Sequence, residues 1–260
     1  MKAAVKRGFF SLKQQGKCQM KHNPITGRIS DIERELKQAG TEQGAQNAMR
    51  FFKTGKGQYG HGDKFLGITV PVLREIAKNC RDISIDEAAF MLGSEFHEER
   101  MLALFLLIGI YKNAQTDKDK DAVYRLYLDS TKFINNWDLV DCSAEHIVGA
   151  HLRQTDKQPL YSLAHSDILW ERRIAIIATF HFIKHNEFAD ALNISEILLS
   201  DKHDLIHKAV GWMLREIGKR DIETEENFLR QHHRQMPRTM LRYAIERFPS
   251  EKRLAYLSSR

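Results

Sequence analysis

The chain has 260 residues, 42% of them apolar and 28% charged, which suits one large globular domain or two small ones. No run approaches the ~18 consecutive apolar residues of a membrane helix. Cys18, Cys80 and Cys142 are odd in number and widely separated, which argues against a disulfide framework or a zinc knuckle and for a reducing, cytoplasmic setting.

A net charge of +6 points toward nucleic acid, but its distribution weakens that inference. Residues 1–30 hold seven basic residues and no acidic one, leaving 33 basic and 34 acidic residues downstream. A DNA-binding body must therefore segregate its cations onto one face. The leader has Phe9, Phe10 and Leu12 among its cations but lacks the apolar core of a secretory signal. A presequence-like segment, a basic arm and an upstream extension with Met20 as working start are the alternatives. Residues 1–29 are expected to form a poorly ordered extension ahead of a single domain over 30–260.

Ser30, followed by Asp31 and Glu33, reads as the N-cap of a first helix carrying Ile32, Leu36 and Ala39. Thr41 opens a second, through Ala45, Ala48, Met49 and Phe52. Four glycines between Thr54 and Gly62 mark a loop; with no preceding strand and no following Lys-Ser/Thr, it is not a P-loop. Thr69-Val70-Pro71 starts another helix. Ser84-Ile85-Asp86-Glu87 is a capping box. Ser94 precedes a long apolar helix containing Met101 to Tyr111, and a further helix runs from Asp119 to Leu128. The stretch from Trp137 reads as one helix to about Leu152. Shorter helices follow after Pro159, Asp167, Asn186, Asp201, Glu223, Pro237 and Pro249. The fold class expected is all-α: helix pairs stacked as an α-solenoid of degenerate HEAT-like repeats, with a concave surface.

Chemistry concentrates in three segments, which hold all three tryptophans. Trp137 and Asp141 stand at i and i+4, on one helix face apart from the apolar stripe of Val140, Ala144 and Ile147. Trp170 and Arg173 share a face of a later helix. Lys208, Trp212 and Arg215 place an aromatic between two cations at i, i+4, i+7. Cations interleaved with aromatics suit a nucleic-acid track. His181/His185 and His203/His207 have i,i+4 spacing but no third ligand nearby, so a metal site is not expected.

Phe65-Leu66-Gly67-Ile68 with Pro71, Trp137-Asp138-x-x-Asp141, Leu169-Trp170-x-x-Arg173-x-Ala175 and Lys208-Ala209-x-Gly211-Trp212-x-Leu214-Arg215-Glu216 carry a family resemblance. Joined by Met236-Pro237-Arg238-Thr239 and Arg242-Tyr243-Ala244-Ile245-Glu246, they resemble the DNA alkylation repair family of HEAT-like glycosylases (AlkD type) over residues 30 to 258. The resemblance implies release of cationic N3- or N7-alkylated purines from duplex DNA. It implies Asp141 as catalytic carboxylate, Trp137 and Trp212 as aromatic walls against the lesion's deoxyribose, and Arg173 as a contact to the DNA backbone. Many members carry a second Trp where this chain has Asn136. Lys208, Arg215, Lys56, Arg238 and Arg242 are further candidate DNA contacts.

The chemistry is consistent with that implication. An alkylated purine is already a cation and leaves without a general acid. The costly species is the oxocarbenium-like sugar, which one carboxylate stabilises and aromatic faces support. No cofactor or metal is expected, and the expected state is a monomer acting on double-stranded DNA. A catalytically silent DNA-structure-binding module and a protein-interaction scaffold are the alternatives.

Overall fold

The computed structural model describes residues 24–80 and 82–258. Among the described residues the secondary structure is helical, apart from one isolated bridge between Lys64 and Phe96. The first four helices are α1 (Pro24–Ala39), α2 (Glu42–Phe51), α3 (Val70–Asn79) and α4 (Ile85–Leu92). They precede α5 (His97–Asn113), α6 (Asp117–Asp129), α7 (Trp137–Asp141), α8 (Ala150–Leu152), α9 (Gln158–Ala164) and α10 (Leu169–Ala178). The remainder are α11 (Phe180–Ile183), α12 (Ala189–Ile197), α13 (Asp204–Gly218), α14 (Ile222–His232), α15 (Arg238–Ala244) and α16 (Ser250–Ser258).

Several helix starts follow from local chemistry. The Thr41 hydroxyl accepts a hydrogen bond from the Gly44 amide, and Ser84 and Glu87 form the reciprocal capping box. Other boundaries differ from the sequence-based expectation. α1 begins at Pro24 rather than Ser30, because Ile29 extends the buried stripe of Ile32 and Leu36 and Arg28 pairs with Asp82. The helical fold therefore reaches upstream of residue 30; residues 1–23, with Met20, lie outside the described residues. α5 starts at His97, since Ser94 is used to accept from the Phe96 amide and to donate to Glu99 at 2.5 Å. α6 starts at Asp117, capped by Thr116. Asn186 is no cap: it takes φ +61° in the turn before α12.

The expected single helix over Trp137–Leu152 is broken. A turn at Cys142 and Ser143 follows α7, then a π turn over Glu145–Gly149 leads into α8. The Ser143 hydroxyl donates back to the Leu139 carbonyl at 2.5 Å and is 2.9 Å from the Tyr127 hydroxyl. Gly149 packs so tightly that a Cβ there would lie 2.2 Å from the Ala178 carbonyl oxygen.

Tertiary contacts run from neighbour to neighbour. α5, α7, α10, α13 and α15 form one row, each packed on the next. α4, α9, α12 and α14 back that row, and α6 backs the π turn. This is an α-solenoid, with one continuous core that includes Leu102, Leu107, Tyr127, Leu139, Ile147 and Phe182. α5 is buried on nearly every face because α3, α4, α6 and α7 surround it.

Candidate functional site

A cleft of about 490 Å³ opens along the row of α7, α10 and α13. Six residues singled out from the sequence line it: Trp137 and Asp141 from α7, Arg173 from α10, and Lys208, Trp212 and Arg215 from α13. Lys56, on the exposed glycine loop, and the exposed Arg238 and Arg242 of α15 do not. Arg238 instead donates to the Leu257 carbonyl at 2.9 Å, tying α15 to α16.

Asp141 is held from across the repeat boundary. The Nε and Nη2 of Arg173 donate to its two carboxylate oxygens, each at 2.8 Å, in a bidentate pair. Arg173 is 4% exposed, and its remaining nitrogen, Nη1, donates to the Leu205 carbonyl. The arginine expected on the DNA backbone is thus buried with every nitrogen engaged within the protein. Its position is the reason: it points inward from α10, between α7 and α13. Burial raises the Asp141 pKa above the ordinary carboxylate value, against the opposing pull of the Arg173 guanidinium. Two donors on two oxygens match the charged form of the carboxylate.

The two tryptophans are placed by packing. Trp137 sits at the start of α7, its ring 5.8 Å from that of Phe51 and 5.5 Å from that of Phe52. Trp212 is fixed on α13 by Phe180 at 5.7 Å and by a hydrogen bond from its Nε1 to Glu216 at 3.1 Å. The neighbouring Gly211 permits close approach of α15: a Cβ there would be 2.4 Å from the Met240 carbonyl and 2.5 Å from the Tyr243 Cβ. That approach brings Tyr243 to the cleft. The flanking cations are partly neutralised, Lys208 by Asp204 at 2.7 Å and Arg215 by Glu246.

Asn136, where a second aromatic is common in the resembling family, serves structure. It is fully buried and caps α7, its side-chain oxygen accepting from the Trp137 amide at 2.9 Å. Its Nδ2 donates to Asp63 at 3.3 Å. Asp63 also accepts from Arg100 at 2.7 Å and lies 3.2 Å from His97, whose other ring nitrogen is 2.8 Å from Asp138. Burial would lower the His97 pKa, but the bonds to Asp138 and Asp63 raise it to about 9. This cluster joins the glycine loop, α5 and α7 directly behind Trp137. Beside it, the buried Glu98 accepts from the amides of Leu66, Gly67 and Ile68 at 2.9, 2.8 and 3.2 Å. That accounts for the Phe-Leu-Gly-Ile segment. Gly67, at φ +83°, has no room for a side chain against Thr41 and Ala45.

Five cleft residues were not anticipated: Phe51, Lys53, Tyr59, Leu205 and Tyr243. Phe51 is 64% exposed at the end of α2. The available signal was its place off the stripe of Ala45, Ala48 and Phe52. Among the described residues no group of three or more potential metal ligands occurs, and no helix is long and apolar enough to cross a membrane.

Comparison with known proteins adds the lineage. A protein described as a predicted DNA alkylation repair enzyme from Enterococcus faecalis is similar in structure, with TM-score 0.63, 14% identity, and coverage of 81% of this chain and 97% of that one. The crystal structure of AlkD2 from Streptococcus mutans is similar with TM-score 0.51, 16% identity, and coverage of 87% and 99%. At these identities the likeness speaks for the fold. No curated protein is significantly similar in a sequence search. The sequence model for the DNA alkylation repair enzyme family matches residues 32–248, and the chain belongs to that family.

Proposed function

We propose that this protein is a DNA glycosylase that hydrolyses the N-glycosidic bond of N3- or N7-alkylated purines in duplex DNA. The observation that carries the reading is Asp141 lining one cleft with Trp137 and Trp212, held by the bidentate grip of Arg173. A scaffold has no use for a carboxylate aimed by an arginine beside two aromatic rings in such a cleft.

The bond from C1′ to the base nitrogen breaks with its electron pair going to the base, which leaves as a neutral purine because it began as a cation. The positive charge passes to the sugar, where Asp141 offsets it and the Trp137 and Trp212 faces add cation–π support. Water adds to C1′ and gives up a proton, with the Asp141 carboxylate as the nearby acceptor, and an abasic site remains. Arg173 acts through Asp141: it aims both oxygens and tempers their basicity, so electrostatic support is favoured over covalent attack. An unmodified purine leaves as an anion without an acid, so undamaged DNA is spared.

The test is a duplex carrying one N7-methylguanine, incubated in enzyme excess and read by alkaline strand cleavage. The expected result is conversion to an abasic site, with no cleavage of the unmodified duplex. Binding without excision would replace this reading with that of a catalytically silent DNA-binding module. Binding that ignores salt would remove DNA as the partner.

A further inference from the structure

α2 ends in a Schellman motif: the Lys53 amide donates to the Arg50 carbonyl at 3.3 Å and the Thr54 amide to the Met49 carbonyl at 3.2 Å. The residue after the C-cap in this motif adopts the left-handed conformation and is usually glycine. Here it is Lys53, at φ +54°. An L-residue is disfavoured there, and lysine has no short polar side chain to compensate locally. The conformation is imposed by the surrounding loop. The Gly60 amide donates to the Lys53 carbonyl at 3.2 Å, and a Cβ on Gly60 would lie 2.3 Å from the Phe52 carbonyl oxygen. The chain in this loop is rich in glycine, yet a long cation stands where glycine fits best.

The side chain supplies the reason. Lys53 lines the cleft, its ammonium 6.0 Å from the centre of the Tyr59 ring. Tyr59 is braced from behind by Trp170, the two ring centres 6.1 Å apart. The other cleft cations have carboxylates: Arg173 has Asp141, Lys208 has Asp204, and Arg215 has Glu246. Lys53 has no ion-pair partner among the described residues. An unbalanced positive charge beside a site that stabilises a sugar cation opposes the reaction, unless the substrate brings an anion to it. A DNA duplex brings one at every nucleotide.

We infer that Lys53 is a binding residue for the DNA phosphate next to the lesion nucleotide, a cleft cation left free for it while Arg173 is engaged with Asp141 and Leu205. This rests on the proposed function only in requiring duplex DNA in the cleft.

Lys53→Gly tests it without threatening the fold, since glycine is favoured at that φ. Binding to a duplex with a tetrahydrofuran abasic-site mimic is measured over a range of salt for the full chain, Lys53→Gly, Lys53→Arg, and Lys118→Met on the exposed face of α6 as control. Lys53→Gly should weaken binding about tenfold at moderate salt and reduce the slope of log K against log salt by about one. Lys53→Arg and Lys118→Met should keep the slope. The Tm of Lys53→Gly should equal or exceed that of the parent protein. An unchanged slope, or a lower Tm in Lys53→Gly, overturns the assignment. If the parent protein fails to excise N7-methylguanine while the slope still falls, the glycosylase reading is lost and the Lys53 contact stands. If excision is intact and the slope does not move, Lys53 alone is wrong.

Discussion

Asp138 and Asp141 leave the same short helix three residues apart and meet different surroundings. Asp138 is half-buried and lies off the cleft: one oxygen faces His97 at 2.8 Å and the other accepts from the Leu139 amide at 2.9 Å. Asp141 has both oxygens on Arg173, yet it lines an open cleft. The first partner comes from the preceding helix of the row, the second from the following one. A carboxylate held by fixed donors away from the cleft stiffens the scaffold. One gripped from behind while it lines the cleft stays available to a ligand. The same residue type thus serves architecture or chemistry according to which neighbouring repeat supplies its counter-charge.

The sharpest way to break that contrast is to neutralise each acid in turn. Asp141→Asn should lower single-turnover excision about 1,000-fold, near 4 kcal/mol of barrier, with DNA binding little changed. Asp138→Asn should do the reverse, costing about 2 kcal/mol in urea unfolding while excision by the folded fraction falls less than tenfold. Equal rate losses in the two variants would end the distinction.

The buried cluster also predicts a stability profile. The pKa of His97 is raised on folding, so its stabilisation is complete below the unfolded value of 6.5 and is lost as pH climbs through about 9. The loss amounts to roughly 3 kcal/mol, seen as a falling Tm. Glu225, raised to about 8 by burial, also makes the protein less stable as pH rises, from its ordinary 4.5 upward. His97→Asn and Glu225→Gln should each flatten a separate part of that decline. A Tm independent of pH between 6.5 and 9.5 in the parent protein would contradict the His97 assignment.

On the catalytic side, Arg173→Gln removes the group that opposes burial at Asp141, so the carboxylate pKa should climb further. Excision at neutral pH should fall about 10- to 100-fold and recover at higher pH, with the acidic limb of the rate profile displaced upward. A uniform loss without that shift would mean that Arg173 is not acting through Asp141. The smallest effects belong to cations outside the cleft. Lys56→Ala, Arg238→Ala and Arg242→Ala should each weaken duplex binding about threefold, with excision of bound substrate unchanged.

Helix content, the glycine loop, the capping box at Ser84 and the aromatic–acid pairing of Trp137 with Asp141 were legible in the sequence, because each depends on residues within one or two helical turns. The breaks were not. Ser143 ends α7 by bonding back to Leu139 while engaging Tyr127 on another helix, and Gly149 answers to the backbone of Ala178. Ser30 carried a valid local cap signal, but Ile29 packing into the core carried the helix past it.

What the sequence determined by itself was which helices hold the tryptophans, Asp141 and the cations Arg173, Lys208 and Arg215, since spacing along a helix is set by its pitch; Phe51, Lys53 and Tyr59, from the end of α2 and the loop after it, were outside that reading. What only the tertiary structure decided was how those charges are paired. Asp141 with Arg173, and Asp63 and Asp138 with His97, join positions more than 30 residues apart in sequence. A bidentate grip depends on a few tenths of an ångström between helices, and the packing of neighbouring repeats sets that distance.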